Sequence, residues 1–96
     1  GQAEDLLRRA VDEDPDFAAA WNNLGVILME RGKISEAAEV FRRAYATDNG
    51  NSDEIRDNLR LALAKLENPD YGEGQENAEF QLVRRGAGDF VLLSAP

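Results

Sequence analysis

The side chains able to do chemistry are narrow in kind. The chain has no His and no Cys. That removes the commonest general base, the usual partner of a nucleophilic serine, the commonest zinc ligand and all thiolate chemistry. Ser35, Ser52 and Ser94 therefore have no base to activate them. Carboxylates are plentiful, 19 Asp plus Glu, but none forms a recognisable acid–base pair. Asp12, Glu13, Asp14 and Asp16, around Pro15, lack the ligand and glycine spacing of a calcium loop. They read as a solvated helix end with favourable charge at the start of the next helix. Arg8-Arg9 and Arg42-Arg43 read as outward-facing residues in exposed ion pairs. What remains is recognition. The sequence thus indicates a non-enzyme with no cofactor and no metal.

Composition narrows the partner. A formal net charge of -8 argues against nucleic acid, because neutralising phosphates requires clustered Lys and Arg. It disfavours anionic membranes and favours a neutral to basic protein or peptide. No apolar run reaches the ~18 residues of a membrane span, so no membrane insertion is expected. Ninety-six residues suit one small domain with little stability to spare.

Helices must position these groups. Trp21, Leu24 and Leu28 recur at spacings of three and four, and Ala37, Phe41 and Ala44 repeat the pattern on a second helix. Gly32 is placed to end the first in the left-handed conformation, and Ser35 to N-cap the second. Gly25 and Ala37 are small where the two helices should approach, with Phe41 and Trp21 filling the space around them as largely buried residues. Asn22, Val26 and Met29 form a separate strip, away from the Trp21 stripe. Residues 2–14 read as an earlier helix, in which Ala3, Leu7 and Ala10 repeat the spacing of Ala37, Phe41 and Ala44. Asp48-Asn49-Gly50-Asn51-Ser52 is a turn with Asn-Gly supplying positive φ. Ser52 or Asp53 caps a last helix, running to about Glu67, with Ile55, Leu59, Ala62, Leu63 and Leu66 as its apolar face. Asn68-Pro69 ends it.

Trp21-x2-Leu24-Gly25-x2-Leu28, Ala37-x3-Phe41 and Ala44 together resemble the tetratricopeptide (TPR) repeat, a unit of roughly 34 residues. Leu28 stands in place of the usual aromatic and Asn49 in place of the closing Pro. Leu7-Arg8-Arg9-Ala10 and Phe41-Arg42-Arg43-Ala44 lie one repeat length apart. The implied fold class is mostly α: a TPR-type α-α superhelix fragment with a C-terminal β-hairpin. Its parts are a partial repeat over 2–17, a full repeat over 18–51 and a capping helix over 52–67, then a linker loop over 68–78 and a hairpin over 79–94. The chain opens on the second helix of a repeat, which predicts a longer protein or a first helix supplied from elsewhere. Arg60 occupies the place of Gly25 in the last helix, so this helix is expected to cap the array.

The resemblance implies a concave groove lined by the first helix of each repeat. It places Asn22, Asn23, Val26, Met29, Asp57, Asn58 and Leu61 there as partner-binding residues. Val26, Met29 and Leu61 are read as apolar on a face that packing does not need, and in such a groove Asn22, Asn23 and Asn58 can hydrogen-bond an extended backbone. Asn23 and Asn58 resemble the asparagine positions of carboxylate-clamp TPRs, but no Lys or Arg precedes Arg31 on the Trp21 helix, which argues against a clamp.

The tail departs from the family pattern. Residues 79–84 and 89–93 are β-prone runs around Arg85-Gly86-Ala87-Gly88. A hairpin centred between Gly86 and Ala87 pairs Arg84 with Asp89, Leu82 with Val91 and Phe80 with Leu93. Both faces are apolar, and an isolated hairpin is marginal. Phe80, Leu82, Val83, Phe90, Val91 and Leu92 are accordingly candidates to pack on the helices or to form a homodimer with a second copy. The leading reading is a scaffold binding a peptide or protein segment in the groove. The alternatives are a structural homo-oligomerising module and a regulatory domain of a longer protein. An open groove would favour the first, and a groove filled by the tail the second.

Overall fold

The computed structural model describes residues 1–68, 80–85 and 89–90. Four helices follow one another: α1 (Gln2–Glu13), α2 (Ala18–Glu30), α3 (Ile34–Thr47) and α4 (Asp53–Glu67). Each packs mainly on its neighbour in sequence, α1 on α2, α2 on α3 and α3 on α4. This is the arrangement that amphipathic helices joined by short turns produce.

The turns obey local chemistry. After α2, Gly32 takes φ +77°. Its N–H donates to Met29 O at 3.0 Å, and the Lys33 N–H donates to Leu28 O at 2.9 Å. These two bonds form a Schellman closure. After α3 the same pair recurs, Asn49 N–H to Ala46 O and Gly50 N–H to Tyr45 O, with Asn49 at φ 56°. α4 begins with the expected cap: Ser52 Oγ accepts from the Ile55 N–H at 3.3 Å. Ser35 is not a cap. The first closure is so tight that α3 starts at Ile34, preceded by Lys33, and Ser35 falls inside its first turn.

The core lies between α2 and α3. Phe41, Leu24, Leu28, Ala37 and Ala20 are essentially inaccessible. Gly25 marks the closest approach. A Cβ added there would lie 2.5 Å from Phe41 Cε1 and 2.7 Å from Cδ1. Trp21 packs against the core cluster and is largely covered. Its indole N–H donates to Pro15 O at 2.7 Å, and the Arg43 guanidinium stands 5.0 Å from its ring centroid. It seals the edge of the core instead of filling it. On α4, Ile55 and Ala62 are buried, but Leu66 is 40% exposed. It lies in the last turn of α4.

A polar hub ties α1 to the α2–α3 turn. The Glu4 carboxylate is buried and meets Arg8 Nε at 2.9 Å, Arg31 Nε at 3.2 Å and Lys33 Nζ at 3.6 Å. The hydrogen bond from Arg8 is the largest influence and holds its pKa below the ordinary 4.5, against the opposing effect of burial. Arg8 also bonds Glu36 at 2.8 Å, and Arg42 bonds Glu39 at 2.9 Å. One arginine of each pair, Arg8 and Arg42, thus engages a carboxylate. Near Pro15, the Asp14 carboxylate accepts from the Asp16 N–H at 3.2 Å, a turn-stabilising contact.

The expected hairpin over 79–94 is not supported as drawn. Phe80–Val83 is extended but belongs to no strand. Among the described residues, strand pairing is confined to β1 (Arg84–Arg85) and β2 (Asp89–Phe90), in the register Arg84 with Phe90 and Arg85 with Asp89. An odd number of residues between the strands moves the centre onto Ala87, one residue from the expected pairing of Arg84 with Asp89. Val91 and Leu92 lie outside the described residues, as does most of the expected linker.

Candidate functional site

The residues that could read a backbone converge. Asn22 and Asn23 sit side by side on α2, and Asn58 faces them from α4. All three are completely buried. Their amides form a chain: Asn58 Nδ2 donates to Asn22 Oδ1 at 2.9 Å, and Asn22 Nδ2 donates to Asn23 Oδ1 at 3.0 Å.

Across this chain lies the extended segment Phe80–Val83. The Gln81 N–H donates to Asn58 Oδ1 at 2.9 Å, while Gln81 O accepts from Asn58 Nδ2 at 2.6 Å and from Asn22 Nδ2 at 2.9 Å. Two residues on, the Val83 N–H donates to Asn23 Oδ1 at 2.9 Å, and Val83 O accepts from Asn23 Nδ2 at 3.3 Å. Asn58 and Asn23 thus each grip one residue by both its main-chain groups, as a neighbouring strand would. The contacts also orient the amides. A backbone N–H needs the oxygens of Asn58 and Asn23 as acceptors, and Asn22 must then accept from one neighbour and donate to the other. No buried side-chain polar atom among the described residues lacks a partner.

Alternation along the segment follows from its extended backbone. Phe80 and Leu82 turn onto the helices and pack against the core cluster, and Gln81 is exposed. The Phe80 ring stacks on Phe41 with centroids 5.6 Å apart and planes 4° from parallel, an offset arrangement that aromatic pairs favour. Phe80, Leu82 and Val83, dimer candidates from the sequence, therefore meet the helices of their own chain.

Of the other expected groove residues, Val26 is 5% exposed and belongs to the core cluster, against which Met29 also packs. The reading that packing does not need this face is corrected for both. Leu61 is partly buried, and Asp57 bonds its neighbour Arg56 at 3.3 Å. Neither Asp57 nor Leu61 shares a hydrogen bond with the asparagines. The reading from sequence missed the site's aromatic floor, Phe41, and left the tail as occupant only an alternative. The occupant's signal was present as the alternation Phe80-x-Leu82. A second depression, an open cleft of about 600 Å³, is lined by Arg8, Arg9, Asp12, Trp21, Glu36 and Val40 among others. Its charges are mixed, and Arg8 already pairs with Glu4 and Glu36.

Two-helix units stacked side by side, with a small-residue contact inside the pair and amides along one face, define an α-α helical repeat protein. The chain matches the tetratricopeptide repeat family over residues 1–52, more than half its length, and belongs to that family. Such repeats generally mediate protein–protein interaction and are typically non-catalytic. No curated protein and no solved structure matches the chain. Among the described residues no helix is long and apolar enough to cross a membrane.

Proposed function

We propose that the protein is an interaction module that binds an extended protein segment across Asn22, Asn23 and Asn58, between Phe41 and the α2–α4 face. The observation that carries this reading is the paired grip of Asn58 on Gln81 and of Asn23 on Val83. Main-chain recognition of this kind supplies affinity independent of sequence, and the alternate side chains then supply choice. Met29, Leu61 and Asp57 would border the bound segment. The occupant continues into Arg84-Arg85 on a protein of net charge -8, which supports a neutral to basic partner.

The test uses the full chain carrying Phe80→Ala and Leu82→Ala, which removes the side chains that hold the resident segment. A fluorescent peptide spanning residues 79–85, capped at both ends, is titrated into it and followed by anisotropy. Saturable binding is expected. Adding Asn58→Ala should weaken it about tenfold or more, since its two hydrogen bonds to the segment, at about 1 kcal/mol each, are lost. Circular dichroism checks that helicity is kept. No saturable binding, or binding indifferent to Asn58, removes the groove as the site.

A second reading is the structural, homo-oligomerising module. The filled groove favours it, because the same contacts could form between two copies by exchange of the tail. Light scattering at tens of micromolar distinguishes them: a dimer that becomes a helical monomer on deletion of residues 79–96 supports exchange, and a monomeric parent excludes it.

A further inference from the structure

We infer that Phe80–Val83 is a built-in occupant of this groove, and that an incoming partner must carry the same pattern, an aromatic residue followed two places later by an aliphatic one, to displace it. The inference rests on the groove reading above and adds its regulation. Three observations carry it. First, the resident segment satisfies all three buried asparagines, two of them through both main-chain groups of one residue, so the site is complete only while an extended chain lies in it. Second, its selectivity is confined to two side chains, Phe80 on Phe41 and Leu82 on the core cluster, while Gln81 points to solvent. Third, the segment is covalently joined to the end of α4 through residues 69–79. A tether of that kind gives an effective concentration on the order of mM.

The consequence is a threshold. With the tether at ~1 mM, a segment of intrinsic dissociation constant below ~100 μM occupies its own groove more than nine-tenths of the time. A competing peptide then binds the intact chain at least ~10-fold more weakly than the released chain, because only the open fraction is competent. Partners lacking the aromatic and aliphatic side chains have backbone contacts alone and do not overcome the resident segment.

The experiment compares the intact full chain with the Phe80→Ala/Leu82→Ala full chain, using the capped 79–85 peptide as probe. Expected is at least ~10-fold tighter binding to the variant, and no measurable binding of a control peptide with both apolar residues changed to alanine. In parallel, amide hydrogen exchange is followed on the intact chain. The Gln81 and Val83 amides should be protected, and lose protection when the probe is added at millimolar concentration. Equal affinity for intact and variant chains overturns the inference while leaving the groove reading standing. Equal binding of the control peptide overturns the required pattern. No binding to either chain removes both. If the variant fails to fold, the exchange experiment decides: amides that stay protected at saturating probe, or are never protected, overturn the inference. An intact chain whose protection rises with its own concentration in the dimer range also overturns it, since the occupant would then come from a second copy.

Discussion

Gly25→Ala is the sharpest probe of the core that supports the site. In an exposed helix interior this change stabilises, by about 1 kcal/mol. Here the new methyl would sit 2.5, 2.7 and 2.8 Å from three atoms of the Phe41 ring. Carbon atoms in contact prefer about 3.5–4.0 Å, so the ring must shift by roughly 1 Å. Phe41 is completely buried and also stacks on Phe80, which leaves it little room. Overpacking of a dense core costs about 1–3 kcal/mol, and this contact belongs at the upper end. Net of helix propensity, the expected loss is ~2 kcal/mol. For a domain of this size that lowers Tm by about 8–16 °C. The assay is thermal and urea unfolding followed by circular dichroism. Phe41→Leu, which removes ring atoms, provides the control. In a double-mutant cycle the pair Gly25→Ala/Phe41→Leu should be more stable than the sum of the single losses by at least ~1 kcal/mol. An unchanged or raised Tm for Gly25→Ala, or strict additivity with Phe41→Leu, would show that the two residues do not meet as described.

Two further predictions concern the helix ends. Ser52→Ala removes the oxygen that accepts from the Ile55 N–H and should cost about 0.5–2 kcal/mol, read as a lower urea midpoint; replacement by Asp should restore it. Glu4→Gln tests the hub beside Arg8, Arg31 and Lys33. Because the folded-state pKa of Glu4 is depressed, its stabilising effect is present above the ordinary value and is lost as pH falls through the folded one. The parent should exceed the variant in stability at neutral pH, and the gap should close progressively below about pH 4.5; a gap constant down to strongly acidic pH refutes the assignment.

The helices, their turns and the small-residue contact were legible from the sequence because each depends on neighbours a few residues apart. Apolar spacing of three and four marks the buried stripe of each helix. Gly32 and Asn49-Gly50 mark the positive-φ closures, and Ser52 marks a cap. The resemblance to TPR repeats placed Asn22, Asn23 and Asn58 in the groove, where their amides can hydrogen-bond an extended backbone. Those local rules misplaced Ser35 and Leu66, where the length of a turn or position at a helix end decides the outcome. What occupies the groove was decided only by the tertiary structure. Alternation such as Phe80-x-Leu82 reports an extended backbone with one apolar face. It reads the same whether the main-chain groups pair with another strand or with a row of asparagine amides on two helices. Gln81 and Val83 bond through their peptide N–H and C=O groups, which every residue but proline shares. Side-chain identity therefore carries no record of that pairing, and only the folding of residues 80–83 back onto α2 and α4 selected the asparagines over a second strand.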